Sequence, residues 1–327
     1  MHWSRTAGRE MTASTDLPTR RLGDSEIEVS LVGLGCNNFG RRLDLDRTAA
    51  VLNAALDAGI TLLDTADVYG DGDSERLMGE VLEGRREEFV LATKFGWELS
   101  GAEGAPDAPR GSREYIRWAV EESLRRLRTD RIDLYQYHHP DGTTPLEETL
   151  SALDELVREG LVRAIGCSNF SATQLEEAER ISRDRSLSRF VTLQNEYSLL
   201  EREIEAEVAP ACERLDVSIL PYFPLASGLL SGKYRRGESG PEGSRLSSGE
   251  PAGSEEQFDV IEALEAFAGA RGIGVLDVAI AGLAAQPAIA SVIAGATRPE
   301  QVKANIAALE WQPSEDDLAE LNRIAPR

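Results

Sequence analysis

Cysteine, histidine and lysine are all scarce in this sequence of 327 residues, with three of each. The cysteines, Cys36, Cys167 and Cys212, are an odd number, are widely spaced and form no CxxC pair. Disulfide frameworks use even numbers of cysteines, and zinc sites use closely spaced ones. We therefore expect neither of these, and no bound metal, and the pattern fits a reducing compartment.

Long apolar runs and net positive charge are also missing. No run approaches the ~20 apolar residues of a membrane helix, and Met1–Asp16 lacks the apolar segment of a secretory signal. The 57 acidic and 35 basic residues give a net charge of −22, which argues against binding to nucleic acid or to an anionic membrane. We expect a cytoplasmic protein in which residues 1–17 form a disordered tail, with Met11 as an alternative start.

The few lysines carry information of their own. Lys94, Lys233 and Lys303 are the three lysines among 35 basic residues, and codon bias toward arginine explains most of this imbalance. An ammonium is a compact point charge that serves in a buried site where a guanidinium does not. Lys94 ends an apolar strand, so a functional role is favoured there. The other two lie in polar surroundings, where the bias suffices.

Strand and helix patterns alternate from residue 31 almost to the end. Apolar segments predict eight strands, over 31–35, 62–66, 89–94, 132–138, 162–167, 191–196, 218–223 and 290–294. Helical periodicity predicts helices over 44–58, 73–83, 112–127, 146–159, 171–184, 203–214, 256–270, 274–285, 299–309 and 314–325. Ser171 and Ser314 are the expected caps of their helices, and Thr144-Pro145 the expected cap and first position of the helix over 146–159. A hairpin over 19–29 precedes them, and 231–254 reads as a mobile loop.

This alternation predicts one α/β domain over 18–327, a (β/α)8 TIM barrel with an N-terminal β-hairpin and a C-terminal extra helix. The alternative is a doubly wound sheet, in which Gly33-Leu34-Gly35 would open a dinucleotide fingerprint and Asp64 would bind a ribose. The third glycine of that fingerprint is missing from Cys36–Gly40, and no helix begins at the turn. The barrel is therefore favoured.

Titratable residues stand where three successive strands end: Asp64 with Tyr69 close behind it, Lys94, and His138. The carboxyl ends of parallel strands meet at one rim, so we predict that these four side chains lie together. A lysine ammonium lowers the pKa of a neighbouring phenol from about 10, and a carboxylate keeps that ammonium charged. The set predicts Tyr69 as a proton donor, with His138 orienting a carbonyl or sharing the proton.

Each of these residues also has a structural explanation when it is taken singly. Tyr69 alone is typical of rim packing, and Asp64 alone of a cap. Asp64 and Lys94 together form an ordinary ion pair, and a rim histidine is more often structural. Their place on three successive strand ends favours the functional interpretation.

Neutral polar groups follow the next strands. Ser168, Asn169 and Gln194 form a cluster that suits a carboxamide, and Tyr222 offers a flat face for a flat heterocycle. Backbone N–H groups of the loop 224–228 can approach a pyrophosphate. The segment 295–298 precedes a helix N-terminus, the usual phosphate site on a barrel. Gln194 as a core amide and Arg298 as a solvated charge are the structural alternatives.

The chain resembles the aldo-keto reductase family, whose members are NADPH-dependent barrel enzymes. The similar segments span the chain and are Leu62–Gly70, Ala92–Lys94, Ile132–Asp141, Ile165–Phe170, Leu193–Tyr197, Tyr222–Tyr234 and Ile293–Asn305. His139 stands where many members carry tryptophan, and Ala294 where proline is frequent.

The resemblance implies an enzyme that reduces an aldehyde or ketone, a small-molecule carbonyl, to an alcohol by hydride transfer from NADPH. Tyr69 then matches the general acid, supported by Asp64, Lys94 and His138, and the preference over NADH rests largely on Arg298. By motif, the cofactor residues are Ser168, Asn169, Gln194, Tyr222, Leu225, Ser227, Gly228, Gly295, Thr297, Arg298, Gln301 and Asn305. Substrate choice is expected near Phe39, Trp97 and the loop 98–111.

Two other functions remain as alternatives. Some proteins of this fold serve as cofactor-sensing subunits of channel-like partners and show little turnover. A Schiff-base enzyme would use Lys94 as its nucleophile, but the adjacent Asp64 would hold that amine protonated and unreactive.

Overall fold

Eight parallel strands form the centre of the computed structural model, which describes residues 17–97, 104–247 and 251–326. They follow one another in the order β10-β3-β4-β5-β6-β7-β8-β9. The strands are β3 (Val32–Gly35), β4 (Leu62–Asp64), β5 (Val90–Phe95), β6 (Ile132–Tyr137), β7 (Val162–Ser168), β8 (Phe190–Gln194), β9 (Ser218–Ile219) and β10 (Val292–Gly295). An antiparallel hairpin, β1 (Thr19–Arg21) and β2 (Glu28–Ser30), precedes them.

The ring closes between β9 and the residues before β10. Ile219 and Ile289 form a single parallel bridge there. The Ile219 N–H donates to the Ala288 carbonyl at 2.7 Å, and the Ala290 N–H donates to the Ile219 carbonyl at 3.1 Å. The (β/α)8 prediction is thus confirmed, and the doubly wound alternative is excluded because its sheet would stay open.

Helices separate the strands as the periodicity predicts. They are α1 (Leu45–Asp57), α2 (Asp73–Val81), α3 (Arg113–Leu127), α4 (Leu146–Arg158), α5 (Ala172–Arg185), α6 (Val208–Leu215), α7 (Glu255–Ala270), α8 (Val275–Ala284), α9 (Pro299–Ala307) and α10 (Glu315–Ile324). The serines predicted as caps, Ser171 and Ser314, both form capping boxes at the starts of α5 and α10.

Three element predictions need correction. The helix expected over 203–214 is a 3-10 turn, Glu203–Glu205, followed by α6; Pro210 is tolerated because it falls in the first turn of that shorter helix. The strand expected over 218–223 ends at Ile219, and Tyr222 joins the sheet through an isolated bridge to Glu196. Pro145 is the N-cap residue of α4, not its first helical position, and no side chain caps that helix.

The hairpin closes the amino-terminal end of the barrel. Leu22, Ile27 and Val29 are buried against barrel residues such as Leu62 and Leu134. Gly23 has a φ of 50°, and a Cβ there would lie 2.6 Å from a backbone oxygen, so the turn requires glycine. With this end plugged by apolar side chains, polar residues gather at the opposite, carboxyl-terminal mouth.

Arg20 of the same hairpin reaches the closing side of the ring. Its Nη1 donates to the carbonyls of Gln286 and Ile289, at 3.2 Å and 2.5 Å. The hairpin therefore holds the segment through which β9 and β10 are joined.

The segment predicted as a loop contains no helix or strand over 232–247, and Ser239 pairs with Pro251 in an isolated bridge. The predicted tail, 1–17, lies outside the described residues except for Leu17, as do residues 98–103 of the expected substrate loop. Within the described ranges no single helix is long and apolar enough to span a membrane. Only α7 and α8 taken together have the required length and composition, and the two helices are bent by 92° relative to each other.

Candidate active site

Lys94 lies at the centre of the carboxyl-terminal mouth, and its side chain is fully buried. Its Nζ donates to Asp64 Oδ2 at 2.7 Å, to the Thr65 carbonyl at 2.8 Å and to the Tyr69 hydroxyl at 3.2 Å. The three donor positions of the ammonium are thereby used. Strand register explains the contact with the carboxylate: Asp64 pairs with Ala92, and Lys94 is two residues further along, so its side chain points to the same face of the sheet.

Tyr69 is carried by the turn that follows β4. Gly70 and Gly72, with φ of 61° and 89°, give this turn its left-handed steps. The Ser74 N–H donates to the Tyr69 carbonyl at 3.1 Å, and the hydroxyls of Thr65 and Ser74 are 2.8 Å apart. The start of α2 thus fixes the loop from which the phenol reaches Lys94.

His138 follows β6 and completes the group of four. Its N–H donates to the Phe95 carbonyl at 2.8 Å, and its ring meets the Tyr69 ring edge-on at 6.0 Å. Its Nδ1 is buried without a hydrogen-bond partner among the described residues. The structure therefore brings all four sequence-predicted side chains to one rim.

The neutral polar residues of the next strands are interlocked beside this group. The Ser168 hydroxyl donates to the Gln194 carbonyl at 2.6 Å, and Asn169 Nδ2 donates to the His138 carbonyl at 3.0 Å. The Tyr222 hydroxyl donates to Asn169 Oδ1 at 3.0 Å. Asn169 has a φ of 60°, a conformation that asparagine tolerates better than most residues. One hydrogen-bonded chain thus links His138 to Tyr222 around the mouth.

The segment after Tyr222 has an unusual backbone. Ala226, Ser227 and Gly228 are all left-handed, with φ of 45°, 57° and 100°. Lys233 Nζ lies 3.3 Å from the point where a Cβ on Gly228 would stand, so the backbone and this cation are close. Concave backbone segments of this kind, with a lysine beside them, suit a phosphate group.

The other candidate phosphate segment joins β10 to α9. Thr297 N and Oγ1 lie 2.7 Å and 3.0 Å from Gln301 Oε1, and Asn305 is buried within α9. Arg298 is the N-cap residue, and its side chain is 68% exposed. Gly295 pairs with Gly35 at the mouth, so the segment 295–298 lies beside the loop after β3.

Comparison with known proteins agrees with this geometry. A family model described as the aldo/keto reductase family matches residues 31–326. The aldo-keto reductase YhdN of Bacillus subtilis (strain 168) is 35% identical over 314 residues, which cover 93% of this chain and 92% of that protein. The solved structure of aldo-keto reductase AKR11C1 from Bacillus halodurans (holo form) aligns with a TM-score of 0.78 at 33% identity, covering 95% of this chain and 97% of that one.

A further relative has a different kind of name. The probable voltage-gated potassium channel subunit beta of Oryza sativa subsp. japonica is 34% identical over 305 residues, covering 90% of this chain and 92% of that protein.

This chain belongs to the aldo/keto reductase family. It is accordingly an NAD(P)H-dependent oxidoreductase, and the resemblance seen in the sequence is confirmed. The left-handed run 226–228, the neutral amide cluster and the half-buried ring of Tyr222 suit a nicotinamide dinucleotide in charge and shape. Among the described residues no three His, Cys, Asp or Glu side chains are grouped to hold a metal ion.

The electrostatics of the aldo/keto reductase site correct one expectation from the sequence. Burial raises the pKa of Tyr69 above its ordinary value, and the nearby charge of Lys94 opposes this only in part. The expected net fall in the pKa of Tyr69 is therefore wrong for this structure, because the phenol is more buried than a rim position suggests. Burial alone would lower the pKa of Lys94, but the charges of Asp64 and Tyr69 outweigh it and raise the pKa.

His138 is held in its neutral form. Burial lowers its pKa to about 2, and the charge of Lys94 contributes to the shift. A neutral imidazole has one N–H and one acceptor nitrogen, so it can form a hydrogen bond at neutral pH, but it lacks the acidic proton of an imidazolium. Of the two roles expected from the sequence, orienting a carbonyl is the one that suits this electrostatic environment.

Gln136 is a site residue that sequence reasoning missed. Asp64 Oδ1 accepts from Gln194 Nε2 at 2.8 Å and from Gln136 Nε2 at 3.3 Å. The carboxylate therefore contacts two amides besides the ammonium, and Gln194 faces Asp64. A fully buried glutamine inside the apolar strand β6 was the available signal, since buried amides need partners.

The expected substrate residues differ in their accessibility. Phe39 is fully buried in the core between β3 and α1, so it does not line the mouth itself. Trp97 is 44% exposed and lies 5.1 Å from the His138 ring and 5.4 Å from the His139 ring.

Proposed function

We propose that this enzyme reduces an aldehyde or ketone to an alcohol, with Tyr69 as the proton donor and NADPH as the preferred cofactor. The observation that carries the proposal is the 3.2 Å contact between Lys94 Nζ and the Tyr69 hydroxyl, inside a pocket where Asp64 keeps the ammonium charged. A bound reduced nicotinamide would supply the hydride.

The raised pKa of Tyr69 supports its role as an acid. A phenol with a pKa above about 10 is fully protonated at neutral pH, so the group begins the reaction with the proton that it must give. When the proton leaves for the carbonyl oxygen, the phenolate forms beside Lys94, whose charge stabilises it. Neutral His138 orients that oxygen by a hydrogen bond.

The cofactor residues are proposed from the positions described above. Ser168, Asn169 and Gln194 would hold the carboxamide, Tyr222 would stack on the ring, and Leu225, Ser227 and Gly228 would hold the pyrophosphate. Arg298, with Gly295, Thr297, Gln301 and Asn305, would bind the adenosine 2′-phosphate, which favours NADPH over NADH. The ion pair of Arg298 with Glu300 is 4.0 Å long and exposed, so it leaves the guanidinium available.

The test is a turnover screen with aldehydes, ketones and sugars, using both cofactors, on the wild type and on Tyr69→Phe. We expect Tyr69→Phe to lose turnover while NADPH binding, measured by fluorescence, persists. Tyr115→Phe removes a phenol from α3 and serves as the matched control. Normal turnover by Tyr69→Phe would refute the role of Tyr69.

A second candidate function is supported by the rice relative, which is named a probable channel subunit beta. In that case the chain would bind NADPH tightly and sense its redox state for a membrane partner. Negligible turnover across the whole carbonyl panel, together with tight NADPH binding, would favour it.

We place the enzyme in a reducing compartment, the cytoplasm, since its three cysteines are buried free thiols.

A further inference from the structure

Two loops at the mouth of the barrel are joined to each other at two places. One loop lies between β5 and α3, and the other lies between β6 and α4. Close to the strands, the Trp97 ring lies 5.1 Å from the His138 ring and 5.4 Å from the His139 ring. Close to the helices, the Gly111 N–H donates to Asp141 Oδ2 at 2.7 Å. The proposed reaction makes no use of this second contact.

Gly111 is the fixed member of the second contact. It is buried, and the next residue, Ser112, is the N-cap of α3. Its carbonyl accepts a hydrogen bond from Thr149 Oγ1 of α4 at 2.8 Å. A Cβ at this position would lie 2.6 Å from the Tyr137 hydroxyl oxygen, so the close approach of the two loops requires glycine. Asp141 therefore attaches its own loop to a point that two helices hold in place.

The Asp141 carboxylate accepts five hydrogen bonds. Oδ1 accepts from the N–H and the hydroxyl of Thr143, at 2.8 Å and 3.2 Å, and from the N–H of Thr144 at 2.8 Å. Oδ2 accepts from the Thr144 hydroxyl and from the Gly111 N–H, both at 2.7 Å. Burial alone would raise the pKa of Asp141, but the N–H groups outweigh it and hold the pKa below its ordinary value. The group is therefore an ionised acceptor at neutral pH.

The peptide that joins Pro140 to Asp141 connects this carboxylate to His139. The N–H of that peptide donates to the Tyr137 hydroxyl at 2.9 Å, and its carbonyl oxygen lies 3.0 Å from His139 Nδ1. Because a carbonyl oxygen only accepts, Nδ1 carries the hydrogen of this bond. The His139 side chain is exposed, so its orientation against Trp97 depends on the position of this peptide.

We propose that Asp141 is a positioning residue that fixes the His139 and Trp97 rings as a surface for the side chain of the carbonyl substrate. This inference rests on the proposed function. The bond to Gly111 holds the loop after β6, and the orientation of the His139 ring follows from it. A flat apolar group on the substrate packs well against two such rings.

The orientation of the reacting carbonyl does not depend on this bond. His138 is held to the barrel separately, because its N–H donates to the Phe95 carbonyl and its own carbonyl accepts from Asn169 Nδ2. Loss of the contact between Asp141 and Gly111 should therefore change which substrate side chains are accepted. It should leave the proton donor and the cofactor residues in place.

Asp141→Asn is a selective probe of the contact. An asparagine has the same shape but only one acceptor oxygen. Three donors meet at Oδ1 and two at Oδ2, so the amide oxygen should stay with Thr143 and Thr144. The amide NH2 group then faces the Gly111 N–H, and two donors repel each other. The turn over 141–144 should survive while the bond between the two loops is lost.

The first test compares phenylacetaldehyde with propanal, two aldehydes that differ by a phenyl group in place of a methyl group. We expect the ratio of their kcat/KM values to fall by about tenfold in Asp141→Asn, the lower end of the loss of one charged hydrogen bond. The change should lie mainly in the KM of phenylacetaldehyde. Thr143→Val removes one bond to Asp141 without touching Gly111, and it should keep the wild-type ratio.

A double-variant cycle separates positioning from a general loss of stability. His139→Ala should lower the same ratio, and Asp141→Asn/His139→Ala should lower it no further, since both changes act on one surface. Additive losses would overturn the proposal. So would equal slowing of the two aldehydes, weaker NADPH binding in Asp141→Asn, or an unchanged ratio, and an unchanged ratio would leave the role of Tyr69 intact.

Fluorine NMR tests the positioning even if no aldehyde is reduced. In protein labelled with fluorotryptophan, the Trp97 resonance is assigned by its loss in Trp97→Phe. Asp141→Asn and His139→Ala should both shift this resonance, whereas Thr143→Val should not, and the Trp311 resonance serves as an internal reference. A Trp97 resonance that moves in His139→Ala but stays in place in Asp141→Asn would overturn the proposal.

Discussion

Lys94 contacts Tyr69 in two ways at once, with its Nζ 3.2 Å from the hydroxyl oxygen and 4.9 Å from the ring centroid. The ammonium therefore acts on the phenol through a direct hydrogen bond and through the face of its ring. The Asp64 carboxylate contacts Lys94 and does not contact the phenol. The charge of Lys94 lowers the pKa of Tyr69 against the effect of burial.

Replacing Lys94 by methionine should slow turnover by roughly 10²–10⁴, the range expected when general acid catalysis is lost. The change also leaves Asp64 buried without its cation, at a cost of about 3–5 kcal/mol in the free energy of unfolding. Steady-state kinetics and urea denaturation measure the two effects. The double variant Lys94→Met/Asp64→Asn should regain stability without regaining activity. Recovery of activity in it would contradict the role of the cation.

His138 should make the protein sensitive to acid. Its pKa in the folded state is about 2, below the unfolded value of about 6.5, so the unfolded chain binds the proton more readily. Stability is therefore present above pH 6.5 and is lost as the pH falls, by about 1.4 kcal/mol per pH unit at most.

Urea denaturation at pH 7 and pH 5 checks the effect of His138. His138→Gln should flatten the loss between these two values, while His139→Gln, which changes the exposed neighbour, should retain it. An equally steep loss in His138→Gln would show that other groups titrate instead.

Replacing Asp67 by asparagine should stabilise the protein. Its side chain is fully buried, and neither carboxylate oxygen has a hydrogen-bond partner among the described residues. Burial and the charge of Glu75 raise its pKa well above the ordinary value. Because this pKa is higher in the folded protein, the folded state holds the proton more tightly than the unfolded chain, and stability falls as the pH rises above the unfolded pKa.

Asp67→Asn removes that cost, so the gain should be roughly 1–3 kcal/mol at pH 7 and should shrink toward pH 4. Chemical denaturation at the two pH values measures it, and Asp46→Asn in the first turn of α1 is a control carboxylate. A loss of stability at pH 7 would mean that the ionised form is needed.

Arg298→Gln should separate the two nicotinamide cofactors. Loss of one charged bond to a phosphate corresponds to roughly 1.5–3 kcal/mol, or about 10–100-fold in the Kd of NADPH. The Kd of NADH should change little, since NADH lacks that phosphate. Fluorescence titration with both cofactors gives the ratio, and Arg323→Gln in α10 is the charge control. Equal weakening of both would place Arg298 elsewhere in the site.

Much of this fold follows from patterns that the sequence shows directly. Apolar strands ending in Asp64, Lys94 and His138 could be aligned in advance because parallel strands expose their carboxyl ends at one rim. Ser171 and Ser314 could be assigned as caps because a serine with a glutamine or aspartate three residues later signals a helix start. The early end of β9 could not be anticipated, since Leu220 and Tyr222 continue the apolar pattern and still donate backbone hydrogen bonds to the carbonyls of Leu193 and Asn195.

The electrostatics of the site were harder to predict. The direction of the pKa shift at Tyr69 depends on how deeply the phenol is buried, and a sequence does not give that depth. Arg42 and Arg245 influence each other electrostatically although they lie in loops about 200 residues apart in the sequence. No local pattern joins them.

The single bridge between Ile219 and Ile289 has a consequence for how the barrel responds to its cofactor. Tyr222 follows Ile219 in the chain, and the segment 295–298 follows Ile289. The residues proposed to hold opposite parts of a nucleotide therefore lie on either side of the place where a single bridge closes the sheet. A nucleotide bound by both segments would stabilise the closed sheet at this bridge, because a ligand that binds the native state stabilises that state. Amide hydrogens at Ile219 and Ala290 should then gain the most protection from exchange with solvent deuterium when NADPH is added.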